Sequence, residues 1–260
     1  MTALTALPPP EPGPGRTRLS RRSAAGWLGM PVFLLVINGL LYAWVQRQEL
    51  DSIEARVLNA PALRERVAEH VQLSLVSTAL VIAVAVPLGI LATRPSTRRA
   101  SPVILALGNL GQAIPSFGLI TLIVLTLGTG FRSIVIGLFA YSALPILRNT
   151  IVGLQQVDPS LTKAARGMGM GPLRVLRRVE LPLAVPVVLA GIRTALIINV
   201  GTATLSTFFG VQALGYVIFQ GIQLNRDVVL VTGAVLASSL ALLADYLAGV
   251  VQDLLSPRGL

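Results

Sequence analysis

D-P-S-L-T-K-A-A-R-G-M-G-M-G-P-L-R-V-L-R-R-V-E-L-P, residues 158–182, is a basic, glycine-broken segment set between two long apolar runs. A connector that only had to stay wet could take any polar sequence, but this one carries its own start and stop signals. Asp158 offers a carboxylate to free backbone amides and Pro159 suits the first helical position, which predicts a short helix from Pro159 to about Met168. Gly167, Gly169 and Gly171, followed by Pro172, end that helix and allow a partner's backbone to come close. A second helix over 173–179 carries Arg174, Arg177 and Arg178 before Leu181-Pro182 turns the chain into the next apolar run. Ala164, Ala165 and Gly169 leave room for contact, and Leu161 and Met168 add apolar bulk. Two readings fit such a segment: a docking surface for a protein partner, or an amphipathic helix held by its arginines on anionic lipid.

The apolar runs on either side decide the fold class. The chain has 260 residues, 53% hydrophobic and 12% charged, with a mean hydropathy of +0.75. A soluble domain carries about 25% charged residues. Crossing a bilayer takes roughly 20 apolar residues in a helix. The sequence therefore predicts an all-α polytopic membrane protein of about six spans. The first is Trp27 to Val45, kept rather than cleaved, because no small-residue cleavage site follows it. The second is about Val71 to Ala92. The uncharged run 100–130 is too long for one straight helix, and Ile114-Pro115-Ser116 predicts a break within it. The fourth span lies near Ser133 to Leu147, with Pro145 and Arg148 at its end. The fifth is about Leu183 to Leu205 and the sixth about Asp227 to Val251. Outside these runs, residues 1–26 read as a disordered tail rich in Pro, Gly and Arg, residues 46–69 as an outer connector with a short helix, and 253–260 as a second tail. Residues 70–252 make up the core.

Charge supports this arrangement and orients it. The net charge is +10, and of the twenty-one basic residues only Lys163 is a lysine. Basic residues gather before the first span, in the 94–99 loop and in the 148–180 segment, whereas Arg47, Arg56, Arg64, Arg66, Arg132 and Arg226 are balanced by nearby acids. The positive-inside rule places both termini and the long loop in the cytoplasm. The charge is thus explained by topology, and nucleic acid is not an expected partner.

The segment 158–182 resembles the cytoplasmic loop of bacterial ABC-importer permeases, whose pattern is E-A-A, three residues, Gly, nine residues, Ile, one residue, Leu-Pro. Ala164, Ala165, Gly169, Val179, Leu181 and Pro182 fill the matching places, and Lys163 stands where the family usually has Glu. Beyond the loop, A-I-P-S at 113–116, L-P-I-L-R-N-T at 144–150, V-D-P-S-L at 157–161, A-G-I-R-T-A at 190–195 and I-N-V-G-T-A-T-L at 198–205 resemble the osmoprotectant branch. That branch carries glycine betaine, carnitine, choline and proline betaine. The resemblance implies a type I importer fold in the bacterial inner membrane, and a permease subunit paired with a second one, identical or paralogous. It further implies two ATPase subunits docked on the loop and an extracytoplasmic substrate-binding protein above. The implied docking residues are Asp158, Leu161, Lys163, Ala164, Ala165, Gly167, Met168, Gly169, Met170 and Pro182. The alternative within the same machinery is another small polar solute such as an amino acid.

Residue chemistry narrows the remainder. No lysine follows a glycine, so the chain has no phosphate-binding P-loop, and any ATP is hydrolysed on another subunit. Cysteine is absent and His70 is the sole histidine, which leaves no disulfide, no thiolate nucleophile and no donor set for a metal. The expectation is therefore no enzyme activity and no cofactor. His70, at the start of a span, reads as an interfacial residue without a role. A secondary transporter or channel would want buried acidic relay residues and internal repeats, but Asp245 is the lone carboxylate in mid-span. Quaternary ammonium is usually held by aromatic faces. Aromatics are 5% here, with no Trp or Tyr cluster in one span, so selection is expected on the binding protein and only a low-affinity passage here. Candidates for lining that passage are Ser116, Asn149, Arg193, Asn199, Thr202 and Thr204. Threonines in spans also mediate helix packing, and Asp245 offers Arg193 a partner.

Overall fold

The structure, a computed structural model, describes residues 24–255; of the expected tails, 1–23 and 256–260 lie outside the described residues, whereas 24–26 and 253–255 belong to the first and last helices. Every regular element among the described residues is helical. In chain order these are α1 (Ala24–Val45), α2 (Ser52–Leu58), α3 (Ala60–Thr93), α4 (Ser101–Ala113), α5 (Ser116–Leu127) and α6 (Phe131–Gln155). After them come α7 (Pro159–Gly167), α8 (Pro172–Val175), α9 (Leu181–Thr202), α10 (Leu214–Gln223) and α11 (Asp227–Leu255). Five helical stretches are long and apolar enough to cross a membrane, and the α4–α5 pair, bent by 101° at Ile114-Pro115, brings the number to six.

Several element boundaries differ from the sequence expectation, each for a local reason. The outer connector does not end before the second span, because α3 runs unbroken from Ala60. Asn59 caps it, its Oδ1 accepting from the Ala62 amide at 2.9 Å, and no breaker intervenes before Pro87. The fourth span does not stop near Leu147, after Pro145, but continues to Gln155. Proline is tolerated inside a membrane helix when neighbouring helices cover the released backbone groups. The largest correction concerns Leu181-Pro182, where the chain does not turn. Instead α8 passes through a π-helical segment, Leu176–Glu180, straight into α9. The Leu181 amide donates to the Leu176 carbonyl five residues back, so the turn just before Pro182 is widened and the helix continues through the proline. At its far end α9 tightens into a 3-10 helix, Ala203–Phe209.

The core is built around α6, which packs on α3, α4, α5 and α9. Leu73, Ile120, Ile134, Leu138 and Phe209 form one buried cluster, and Val81, Ala85, Ile146, Ile151 and Ala195 a second. In a bilayer, where lipid tails are as apolar as leucine, helices associate through close fit rather than through hydrophobic exclusion. The α6–α9 crossing shows that fit: a Cβ on Gly191 would lie 2.8 Å from the Pro145 carbonyl oxygen. Helix α1 lies against α11 through two polar links, Asn38 Nδ2 to Ser239 Oγ at 3.0 Å and Tyr246 Oη to the Trp27 carbonyl at 2.7 Å. Its remaining faces expose Leu28, Val32, Leu35 and Leu40, the composition expected of a lipid-facing helix.

Candidate functional site

The segment 158–182 folds as two short helices at one end of the bundle. Asp158 caps α7, accepting from the Ser160 amide at 2.8 Å. That amide, together with the Ser160 hydroxyl, holds the Asp158 carboxyl below the usual carboxylate range. The helix ends in paired reverse hydrogen bonds: the Gly169 amide donates to the Arg166 carbonyl at 2.9 Å and the Met170 amide to the Ala165 carbonyl at 3.1 Å. Gly169 adopts φ +83°, a conformation that favours glycine, so the stop signal sits at this position rather than at Gly167, the last helical residue. Leu161, Lys163, Ala164, Gly167 and Met168 are exposed, Met170 is half-buried, and Ala165 is buried against the body of the protein. Met168 is 72% exposed, a large apolar side chain left in the open beside Leu161.

This platform is tied to the spans in two ways. Covalently, α8 continues into α9, leaving Pro182 exposed in the first turn. Electrostatically, Arg94, at the end of α3, places a guanidinium nitrogen 2.7 Å from a carboxylate oxygen of Glu180. Glu180 was not among the expected site residues. The available signal was that it is the lone carboxylate between Asp158 and Asp227. Arg174, Arg177 and Arg178 stay exposed and line an open groove of about 490 Å³.

The candidate passage residues are distributed over several faces. Arg193, on α9, makes a two-pronged ion pair with Asp245 of α11, Nε to Oδ1 at 2.5 Å and Nη2 to Oδ2 at 2.7 Å, with both side chains about a third exposed (31% and 27%). Asn199, two turns on, faces α3 instead: it is fully buried, and its Nδ2 donates to Thr78 Oγ1 at 2.9 Å. Asn149, half-buried on α6, donates to the Pro145 carbonyl at 2.9 Å and sits against Gly191. Thr202 and Thr204 are half-buried where α9 tightens, Thr204 Oγ1 donating to the Gly201 carbonyl at 2.7 Å. Ser116 opens α5, directly after the bend.

Two arrangements lie outside the sequence reading. His70 is not idle; it is fully buried, with Nε2 2.8 Å from the Val200 carbonyl. That carbonyl lies at the change from α to 3-10 helix, where the regular ladder is interrupted, so the imidazole supplies a donor there. Separately, four phenylalanines from three elements meet. Phe117 of α5 lies 5.5 Å from Phe208 and 5.4 Å from Phe209, both in the 3-10 segment, and Phe208 lies 4.9 Å from Phe219 of α10. A search within single spans misses such a cluster because the bend and the 3-10 turn assemble it. Among the described residues no group of acidic, histidine or cysteine side chains is placed to hold a metal.

Known proteins resemble this chain over most of its length. Residues 85–258 match the family model described as binding-protein-dependent transport system inner membrane component. The choline transport system permease protein OpuBB of Bacillus subtilis is 39% identical over 202 residues, covering 78% of this chain and 92% of that protein. The osmoprotectant import permease protein OsmY of Salmonella typhimurium is 37% identical over 226 residues, covering 87% of this chain and 94% of that protein. Among solved structures, an inward-facing MetNI methionine ABC transporter superposes with a TM-score of 0.67 at 23% identity, over 77% of this chain and all of the other. At that identity the likeness is one of fold.

Proposed function

The chain belongs to the family of binding-protein-dependent transport system inner membrane components, and from that premise we propose that it is the permease subunit of an ATP-driven importer for quaternary-ammonium osmoprotectants. The observation that carries the cargo class is the near full-length agreement with permeases named for choline and osmoprotectant transport. Two copies, or this chain and a paralogue, surround the passage, with both termini and the loop 158–182 in the cytoplasm. An ATPase subunit sits under each loop, and a binding protein delivers cargo from outside. The permease itself performs no hydrolysis.

The loop supplies the mechanical link. Leu161, Ala164 and Met168 present an apolar patch to the ATPase, with Lys163 facing an acidic position on it. Closure of the two ATPases draws the loops together. Because α8 runs into α9 without a joint, and Arg94–Glu180 ties the same segment to α3, displacement of the platform moves both helices. Cargo moves only if the outward-open and inward-open states differ in affinity for it. Among the spans, Arg193, Thr202, Thr204, Asn149 and Ser116 remain the proposed lining and gating residues, whereas Asn199, fully buried against Thr78, joins α9 to α3 instead. Arg193 acts with Asp245 as a paired group rather than as a free cation.

The test is uptake of labelled glycine betaine by proteoliposomes holding this permease with its ATPase and binding protein, with choline, carnitine and proline as competitors. The expected result is ATP-dependent uptake that choline or carnitine suppresses. A complex that assembles and hydrolyses ATP yet moves none of the quaternary amines contradicts the cargo class.

A further inference from the structure

The phenylalanine cluster has no part in the coupling just described, and its position is unusual. Phe117 and Phe208 are 46% and 49% exposed, whereas Phe209 beneath them is 7% exposed. The rings of Phe117 and Phe208 stand at 86° to each other, and those of Phe208 and Phe219 at 68°. The result is two half-open aromatic walls on a buried aromatic floor. Both walls sit at departures from regular helix: Phe117 one residue into α5 after the 101° bend, Phe208 in the 3-10 segment that ends α9. The open faces of Phe117 and Phe208 thus lie where the helices depart from regular geometry.

Depth places the cluster at the outer end of the spans. With the loop 158–182 on the cytoplasmic side, the 22 residues of α9 rise about 33 Å from Leu181, enough to traverse a hydrocarbon core of roughly 30 Å. Phe208 follows that helix and so lies at the outer mouth, where cargo arrives. Among the candidates identified from sequence, Ser116 precedes Phe117 directly and Thr204 lies one turn before Phe208. Aromatic faces carry negative quadrupole density and attract cations, most strongly where water is scarce. A quaternary ammonium cannot donate a hydrogen bond, so aromatic faces suit it better than hydroxyls or amides do.

The geometry points to a receiving site for the trimethylammonium group at Phe117 and Phe208, at the outer mouth of the passage, with Phe219 orienting Phe208. The inference rests on the proposed cargo class and extends it: the permease recognises the cation itself, in addition to any selection by the binding protein. Sequence composition argued for a passage without aromatic recognition, and the fold supplies the rings from three separate elements.

Graded fluorination tests this, because successive fluorines weaken the ring quadrupole while nearly preserving shape. Phenylalanine 208 is replaced in the assembled complex by its mono-, di- and trifluoro analogues, and betaine uptake is measured below saturation, with cargo-independent ATPase activity as the assembly control. The expected result is a stepwise fall in uptake, about tenfold across the series, with unchanged ATPase activity, and a comparable loss in Phe208→Leu. Uptake indifferent to fluorination and to Phe208→Leu overturns the receiving site and leaves these rings as packing against lipid or a second permease copy. An unsubstituted complex that moves no quaternary amine overturns the cargo class, a failure distinct from the first.

Discussion

Gly215 and Gly201 lie on either side of the same 3-10 turn and respond oppositely to an added methyl group. A Cβ on Gly215 would fall 1.8 Å from the Thr204 carbonyl oxygen, a backbone atom that cannot rotate away, whereas a Cβ on Gly201 meets nothing within 4 Å. Gly215→Ala therefore costs about 1–3 kcal/mol through forced separation of α10 from the turn, and Gly201→Ala is close to neutral. Thermal unfolding of the detergent-solubilised protein measures both. Asp51 offers a second test at this scale. Its carboxylate accepts from the Glu54 amide at 2.8 Å and the Ile53 amide at 2.9 Å, and lies 2.6 Å from Arg226. The Glu54 amide first, then the Ile53 amide and the Arg226 charge, lower its pKa against an opposing effect of desolvation. A depressed folded-state pKa means that the stabilisation is fully present above the unfolded value, near 3.9, and is lost as pH falls through the folded value. Amide exchange in α2 should therefore stay slow from neutral pH down to about 4 and accelerate only below it, beyond the intrinsic pH dependence of exchange. Asp51→Asn should abolish that step.

At the scale of elements, α9 shows what sequence could and could not deliver. Its apolar run marks it as a span, and Arg193 within that run marks a charge in need of a partner. Asp245 is the one mid-span carboxylate, so the pairing was within reach of the sequence, although its two-pronged geometry was not. The fusion of α8 to α9 was hidden because Leu181-Pro182 reads as a break. Only the widened π turn, which leaves the proline's missing donor unneeded, makes the helix continuous. The phenylalanine cluster was hidden for a different reason: residues 117, 208 and 219 are neighbours only after a bend and a 3-10 turn have been built. The ion pair yields a prediction about how α9 is held to α11. Arg193→Leu removes the two-pronged partner of Asp245 and should destabilise the solubilised complex by about 1–2 kcal/mol, below the range for fully buried pairs because this one is partly wet. Replacing both partners with leucine should recover most of that loss and still impair uptake, separating the structural role of the pair from its role in transport. A double replacement less stable than Arg193→Leu alone contradicts this account.

For the whole molecule, the proposed function is mechanical: a platform built from residues 158–182 would pass the work of a separate ATPase into the spans. The loop's capping residue, stop signal and basic helix were legible in the sequence because each is local. Its tie to α3 through Arg94 and Glu180 was not, since the two residues lie far apart in the chain. Gly169 is where the claim can be tested without touching the passage. It sits at φ +83° on the exposed face of the platform with no atom within 4 Å of its virtual Cβ, so a side chain there disturbs the helix stop and the docking surface together. The decisive measurement is ATP hydrolysis and betaine uptake recorded side by side in proteoliposomes carrying the intact complex or its Gly169→Arg variant. The variant is expected to insert normally but to lose at least about 90% of uptake, roughly 1.4 kcal/mol or more per transport step, with cargo-stimulated hydrolysis lost in parallel. Full uptake by the Gly169→Arg complex would contradict the proposed coupling.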